Sequence, residues 1–208
     1  MRRIALWVVL PAMLGLAAPA LAAGTHAEKG KVGDLRAEMR RLWEDHVAYT
    51  AFFYKAALRG SEDAGPIAER LLRNQDEIGN AIKPFYGEEA GNRLAALLRE
   101  HILVAADLVK AAKAGDAAAQ EAANKRWYRN SEDLAVFLSS ANPNWPKADV
   151  HHALDMHLQM VTEQVVAAMK KDYAAEIAAY DKGAQHMLAL ADTLAAGIVK
   201  QFPKRFRA

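Results

Sequence analysis

From residue 34 to residue 202 the apolar side chains recur at steps of three and four, and nowhere does the chain alternate apolar with polar. Leu35, Met39, Leu42, His46, Tyr49, Phe53 and Ala56 trace one such seam, and Leu94, Leu98, His101, Ala105, Leu108 and Ala112 trace another. A period near 3.5 residues keeps one stripe of a helix turned toward a neighbour, so this pattern builds packed helices and no sheet. Punctuation divides it. Gly60, "KPFYG" at 83–87, Gly115, "ANPNWP" at 141–146 and Lys171-Asp172 interrupt the seams, and glycine and proline are the residues that helices end on. The expectation is an all-α antiparallel bundle of about six helices, made of three helical hairpins, in one domain over residues 34–203.

Polar residues sit on these seams where leucine would be expected. His46 and Asn74 are 28 positions apart, His101 and Asn130 are 29 apart, and so are His157 and His186. Each interval is centred on a turn signal: Gly60-Ser61, Gly115-Asp116 and Lys171-Asp172. Roughly 14 helical residues on each leg, at about 1.5 Å rise, put both members of a pair about 21 Å from their turn. The spacing therefore predicts one hairpin used three times with a period near 55 residues. Side by side, such hairpins align His46, Asn74, His101, Asn130, His157 and His186 in one polar layer across an apolar bundle. His186 flanks the main stripe of its helix and is the layer's outlying member.

Two chemistries fit such a layer. Imidazole and carboxamide can satisfy one another and fix helix register, since an unpaired buried polar group costs on the order of 1–3 kcal/mol. Alternatively His46, His101, His157 and His186 hold a metal ion or small ligand, with support from Asn74, Asn130, Glu77 and Asp133, the last two each three positions beyond an asparagine. Imidazoles without thiolates suit zinc, copper or iron, and Met156, Met160 and Met187 nearby lean toward copper, although methionine at helical spacing also fills cores. The paired Glu-x-x-His set of di-iron bundles is missing from the sequence; a non-covalent haem would need only axial ligands. Trp127 and Tyr128, between Arg126 and Arg129, either line a pocket or pack as structural aromatics.

The ends read differently. "MRRIALWVVLPAMLGLAAPALA", residues 1–22, has a basic start, an apolar middle broken by Pro11 and Pro19, and an Ala-Leu-Ala end, the pattern of a secretory signal peptide. Residues 23–33 read as a flexible linker and residues 204–208 as a solvated basic tail. Periplasmic or secreted localisation follows, without a transmembrane anchor once the leader is removed. The chain has 27 Lys and Arg against 25 Asp and Glu; removal of Arg2 and Arg3 balances them, so no basic excess points to nucleic acid. Cysteine is absent, which excludes disulfides, thiolate metal sites and covalent haem. No phosphate loop, nucleophile elbow or nucleophile–base pair appears. The partners left open are a metal, a small ligand or another protein.

"RLLRNQDEIGNAIKPFYGEEAGNRLAALLREHI" and "NKRWYRNSEDLAVFLSSANPNWP" resemble a family of small exported bacterial helical proteins. Some members carry the labels glycosyltransferase or acetylglutamate kinase. The resemblance covers most of residues 35–202. It implies an all-α exported domain and supplies no functional residues. A nucleotide-sugar or ATP enzyme of either kind requires an α/β architecture that this period does not build.

Overall fold

Six helices follow one another in the structure, a computed structural model that describes residues 21–207, with side chains from Gly30 onward. They are α1 (Leu21–Arg59), α2 (Ala64–Ala114), α3 (Ala117–Ala141), α4 (Lys147–Met169), α5 (Tyr173–Gln201) and α6 (Pro203–Phe206). The all-α bundle is as the period demands. The proposed leader, residues 1–22, lies outside the described residues except for its last two positions.

The break at 83–87 is real but confined to one residue. Gly87 takes φ 86° and ψ 171°, outside any helix, while Pro84 remains within the helical path. Two arms of α2, residues 64–86 and 88–114, fold back on each other at this point. Gly79 and Gly91 face across the fold so closely that a Cβ on Gly79 would lie 2.5 Å from the Gly91 carbonyl oxygen. Farther along, Arg99 reaches back to Asp76 and to the Leu72 carbonyl. The two arms of α2, with α1, α3, α4 and α5, give the six long rods of the three expected hairpins. Neighbours pack in chain order, and α5 closes the ring against α1.

The three hairpin turns are built alike. Gly60, Gly115 and Lys171 have φ of 69°, 69° and 60°. In each turn this residue's N–H bonds the carbonyl three back, and the next N–H bonds the carbonyl five back: Ser61 to Ala56, Asp116 to Ala111, Asp172 to Ala167. This is the Schellman ending, in which a left-handed residue lets the last carbonyls find donors. Asp116 and Asp172 then accept from the N–H groups of Ala119 and Ala175 and start the returning helices.

Two apolar clusters fill the bundle. One, from Met39 and Leu42 through Leu138 and Ile198, occupies the end holding Gly87 and the 142–146 loop. The other, around Ala51, Tyr54, Val104, Trp127, Leu158 and Val165, occupies the turn end. The loop plugs the first: Trp145 is buried against Gly197, and Asn142 donates to the Tyr86 hydroxyl, which donates to Gln201.

Both ends of the domain depart from the sequence expectation. The linker expected over residues 23–33 falls within the path of α1, and at its end Val32 packs against the core. Residues 204–208 are not a solvated tail as far as they are described, to Arg207. Pro203 starts the α6 turn, where a missing N–H is harmless, and Phe206 is buried and stacked on Phe85 at 5.7 Å. Arg205 donates to the Pro84 carbonyl, and Lys31 donates to that of Arg207. The segments looked polar in sequence because their few apolar side chains have partners only in the folded bundle.

Candidate functional site

Between the two apolar clusters lies the polar layer. His46, Asn74, His101, Asn130 and His157 are each at most 5 % exposed, and His186 is half-buried. All six stand at the height that their distance from the turns predicts. Each hairpin is cross-linked by the same rung. Asn74 donates to the Leu42 carbonyl at 3.0 Å, Asn130 to that of Leu97 at 3.0 Å, and His186, through Nε2, to that of Ala153 at 2.7 Å. In every case the acceptor lies four residues before the histidine on the opposite leg, so the repeat extends to individual hydrogen bonds.

Three imidazoles meet in the centre. His157 of α4 lies 5.5 Å from His46 of α1 and 6.0 Å from His101 of α2, centroid to centroid. Burial is the main reason that all three resist protonation: His46 is pushed down to about 3 and His101 to about 4. His157 is lowered as well, with its histidine neighbours adding to the effect of burial. Asn130, bonded to His101, partly offsets the burial of that ring. Among the described residues no carboxylate acts on the trio.

The ring nitrogens decide what the layer can bind. His101 is fully engaged, with Nδ1 2.9 Å from Asn130 Oδ1 and Nε2 accepting from the Trp127 indole at 3.2 Å. His186 spends Nε2 on Ala153. The proposed supporting carboxylates point elsewhere: Glu77 pairs with Arg70, and Asp133 is exposed. His46 Nδ1 and Gln75 Oε1 make no hydrogen bond within the described residues. Among the described residues no group of three or more histidine, aspartate or glutamate side chains is arranged to hold a metal ion. The spacing thus brings the four histidines to one level without giving them a common focus. Nor is there room for an organic ligand: the cavity beside His157, Thr50 and Gln164 measures about 10 Å³, the least space that can hold one water.

Space for a ligand opens on the turn side of the layer. A groove of about 660 Å³ runs between the second arm of α2, α3 and α4. Leu108, Val109, Val161 and Val165 form its walls, and Trp127, whose N–H is fixed on His101, forms its floor. Gln120, Glu121, Asn124, Thr162 and Lys170 supply its polar and charged groups. Val166 and Met169, at its mouth, are 41 % and 46 % exposed. The seam pattern could not reveal this groove, since the same leucines and valines would line a closed core. Its one trace in sequence is Trp127 beside Arg126, with Arg126 held outside by Asp107.

No family model, curated protein or solved structure matches the chain. No helix among the described residues is long and apolar enough to cross a membrane.

Proposed function

We propose that this is an exported helical binding protein that takes a small, largely apolar molecule in the groove over Trp127, beside the histidine layer rather than at it. The observation that carries this reading is the groove itself. Its volume falls in the range of small-molecule sites, roughly 300–1,000 Å³, and its lining has their usual composition of apolar walls with a few polar groups. The layer, in turn, is the register device: its rungs are closed by protein groups, and it holds the groove's floor through the Trp127–His101 bond. Export rests on the leader-like first 22 residues and on the family resemblance.

The test uses a neutral naphthylamine probe whose fluorescence rises in apolar surroundings. The wild-type protein binds it, and Leu108→Trp, which fills the groove, abolishes binding while the melting temperature is maintained. Probe binding that is absent in wild type, or untouched by Leu108→Trp, overturns the reading. Melting with chelator and then with zinc, copper or iron covers the metal alternative. A metal-dependent rise in Tm that disappears in both His46→Ala and His157→Ala would restore the layer as the site.

A further inference from the structure

The apolar groove does not stand alone at the turn end. Across Met169, which lines both, lies a second recess of about 550 Å³. Its character is opposite. Lys55, Arg59, Lys113 and Lys171 line it, with Glu176 as its one carboxylate. Lys55 is drawn to Glu176 at 3.1 Å and Lys113 to the Ala57 carbonyl at 2.8 Å, while Arg59 and Lys171 complete the rim. Glu176 is itself committed, since it also accepts from the Tyr54 hydroxyl at 2.9 Å. An apolar trough and a recess with a clear excess of positive charge therefore meet at one methionine. Lys170 and Glu121 also line the groove, and Glu121 is paired with Lys125 at 2.6 Å.

From this juxtaposition we infer that the ligand is a single-chain anionic amphiphile, with its hydrocarbon chain in the groove over Trp127 and its carboxylate or phosphate head in the Lys55–Arg59–Lys113–Lys171 recess. The inference rests on the groove reading above and adds the head group to it. The two ends of such a molecule need two different solvents. The chain gains by leaving water for leucine and valine walls. The head keeps strong partners, because hydrogen bonds from ammonium and guanidinium groups to an anion are the strong ones. Met169, unbranched and flexible, suits the place where one region gives way to the other, since it adapts to chains of different length. A fatty acid and a lysophospholipid share this chemistry; their heads distinguish them.

The experiment is competition against the same neutral probe on the delipidated protein. The competitors are palmitate, a palmitoyl lysophosphatidylglycerol and neutral monopalmitoylglycerol. Both anions, or one of them, displace the probe at about tenfold lower concentration than the neutral lipid, the ratio a charge-assisted hydrogen bond provides. The double substitution Arg59→Gln with Lys171→Asn removes most of that ratio, leaves probe binding unchanged and does not lower Tm. Asparagine is chosen because it tolerates the left-handed turn conformation of Lys171. Monopalmitoylglycerol competing as well as the anions overturns the inference, and so does a ratio that survives the double substitution. Adsorption to anionic vesicles with no displacement by either soluble anion does the same. In each of these cases the probe still occupies the groove, so the groove reading stands; failure of the probe to bind at all removes both.

Discussion

Trp127 fixes the tautomer of His101. An indole N–H can only donate, and it points at Nε2 from 3.2 Å, so the ring proton must sit on Nδ1, where Asn130 Oδ1 accepts it at 2.9 Å. The Asn130 orientation is set in turn, because its nitrogen is committed to the Leu97 carbonyl. Long-range proton–nitrogen NMR should find His101 as the Nδ1–H tautomer at neutral pH. Asn130→Ala strands that proton in the core and should lower stability by about 1–3 kcal/mol. Finding the Nε2–H form in the wild type would mean that the chain of bonds runs otherwise.

Acid should act on the bundle through the same rings. His46, His101 and His157 are neutral when folded and hold to about 3, about 4 and well below the ordinary value, respectively. In the unfolded chain they take up protons near pH 6.5. Above pH 6.5 both states are neutral at these rings and stability has no slope from them. Below it the unfolded state binds more protons, so stability falls with pH until the folded-state values are reached. Each histidine contributes about 1.4 kcal/mol per pH unit over that window. Urea denaturation between pH 7 and 4.5 should show the decline, and His157→Leu should make it shallower. A slope unaltered by His157→Leu and by His46→Leu would locate its source elsewhere.

The three turns offer an internal comparison. Gly60 and Gly115 occupy left-handed positions at no steric cost, whereas Lys171 holds the same conformation with a Cβ. Gly60→Ala and Gly115→Ala should each destabilise by about 1 kcal/mol, and Lys171→Gly should stabilise by up to about 1 kcal/mol. Thermal melts of the three variants give the signs directly.

These turns were also the most legible part of the sequence, and the limits of that legibility are physical. Spacing determines height along a rod, so the positions of His46, Asn74, His101, Asn130, His157 and His186 could be read from their distances to Gly60, Gly115 and Lys171. Spacing does not determine which way a ring nitrogen turns. The proposed four-histidine metal set depended on that, and the structure gives both nitrogens of His101 to Asn130 and Trp127. The groove over Trp127 is not legible in sequence because Leu108 and Val165 look the same whether a neighbouring helix covers them or leaves a gap. Phe206 and Val32 were missed for the converse reason: isolated apolar residues among charges carry no period, and only the fold supplies Phe85 to pack on.

At the other end of the bundle, Trp145 lies so near the backbone of Gly197 that an added Cβ would meet the indole at less than 3 Å from Cδ1 and Cε2. Gly197→Ala should therefore cost about 1–3 kcal/mol through overpacking. That cost should largely vanish in a Trp145→Ala background, because the clash needs both partners. A double-mutant cycle by urea denaturation measures the coupling; additive effects would place the strain outside this contact.

Each rung of the polar layer closes a loop of similar length, 32 residues in the first hairpin and 33 in the other two. The donor and acceptor of a rung thus belong to the same hairpin and need no other part of the chain to find each other. Short loops close fast and at modest entropic cost. The register of each hairpin is thereby set within that hairpin, while the central contact of His46, His101 and His157 is the one part of the layer that needs all three.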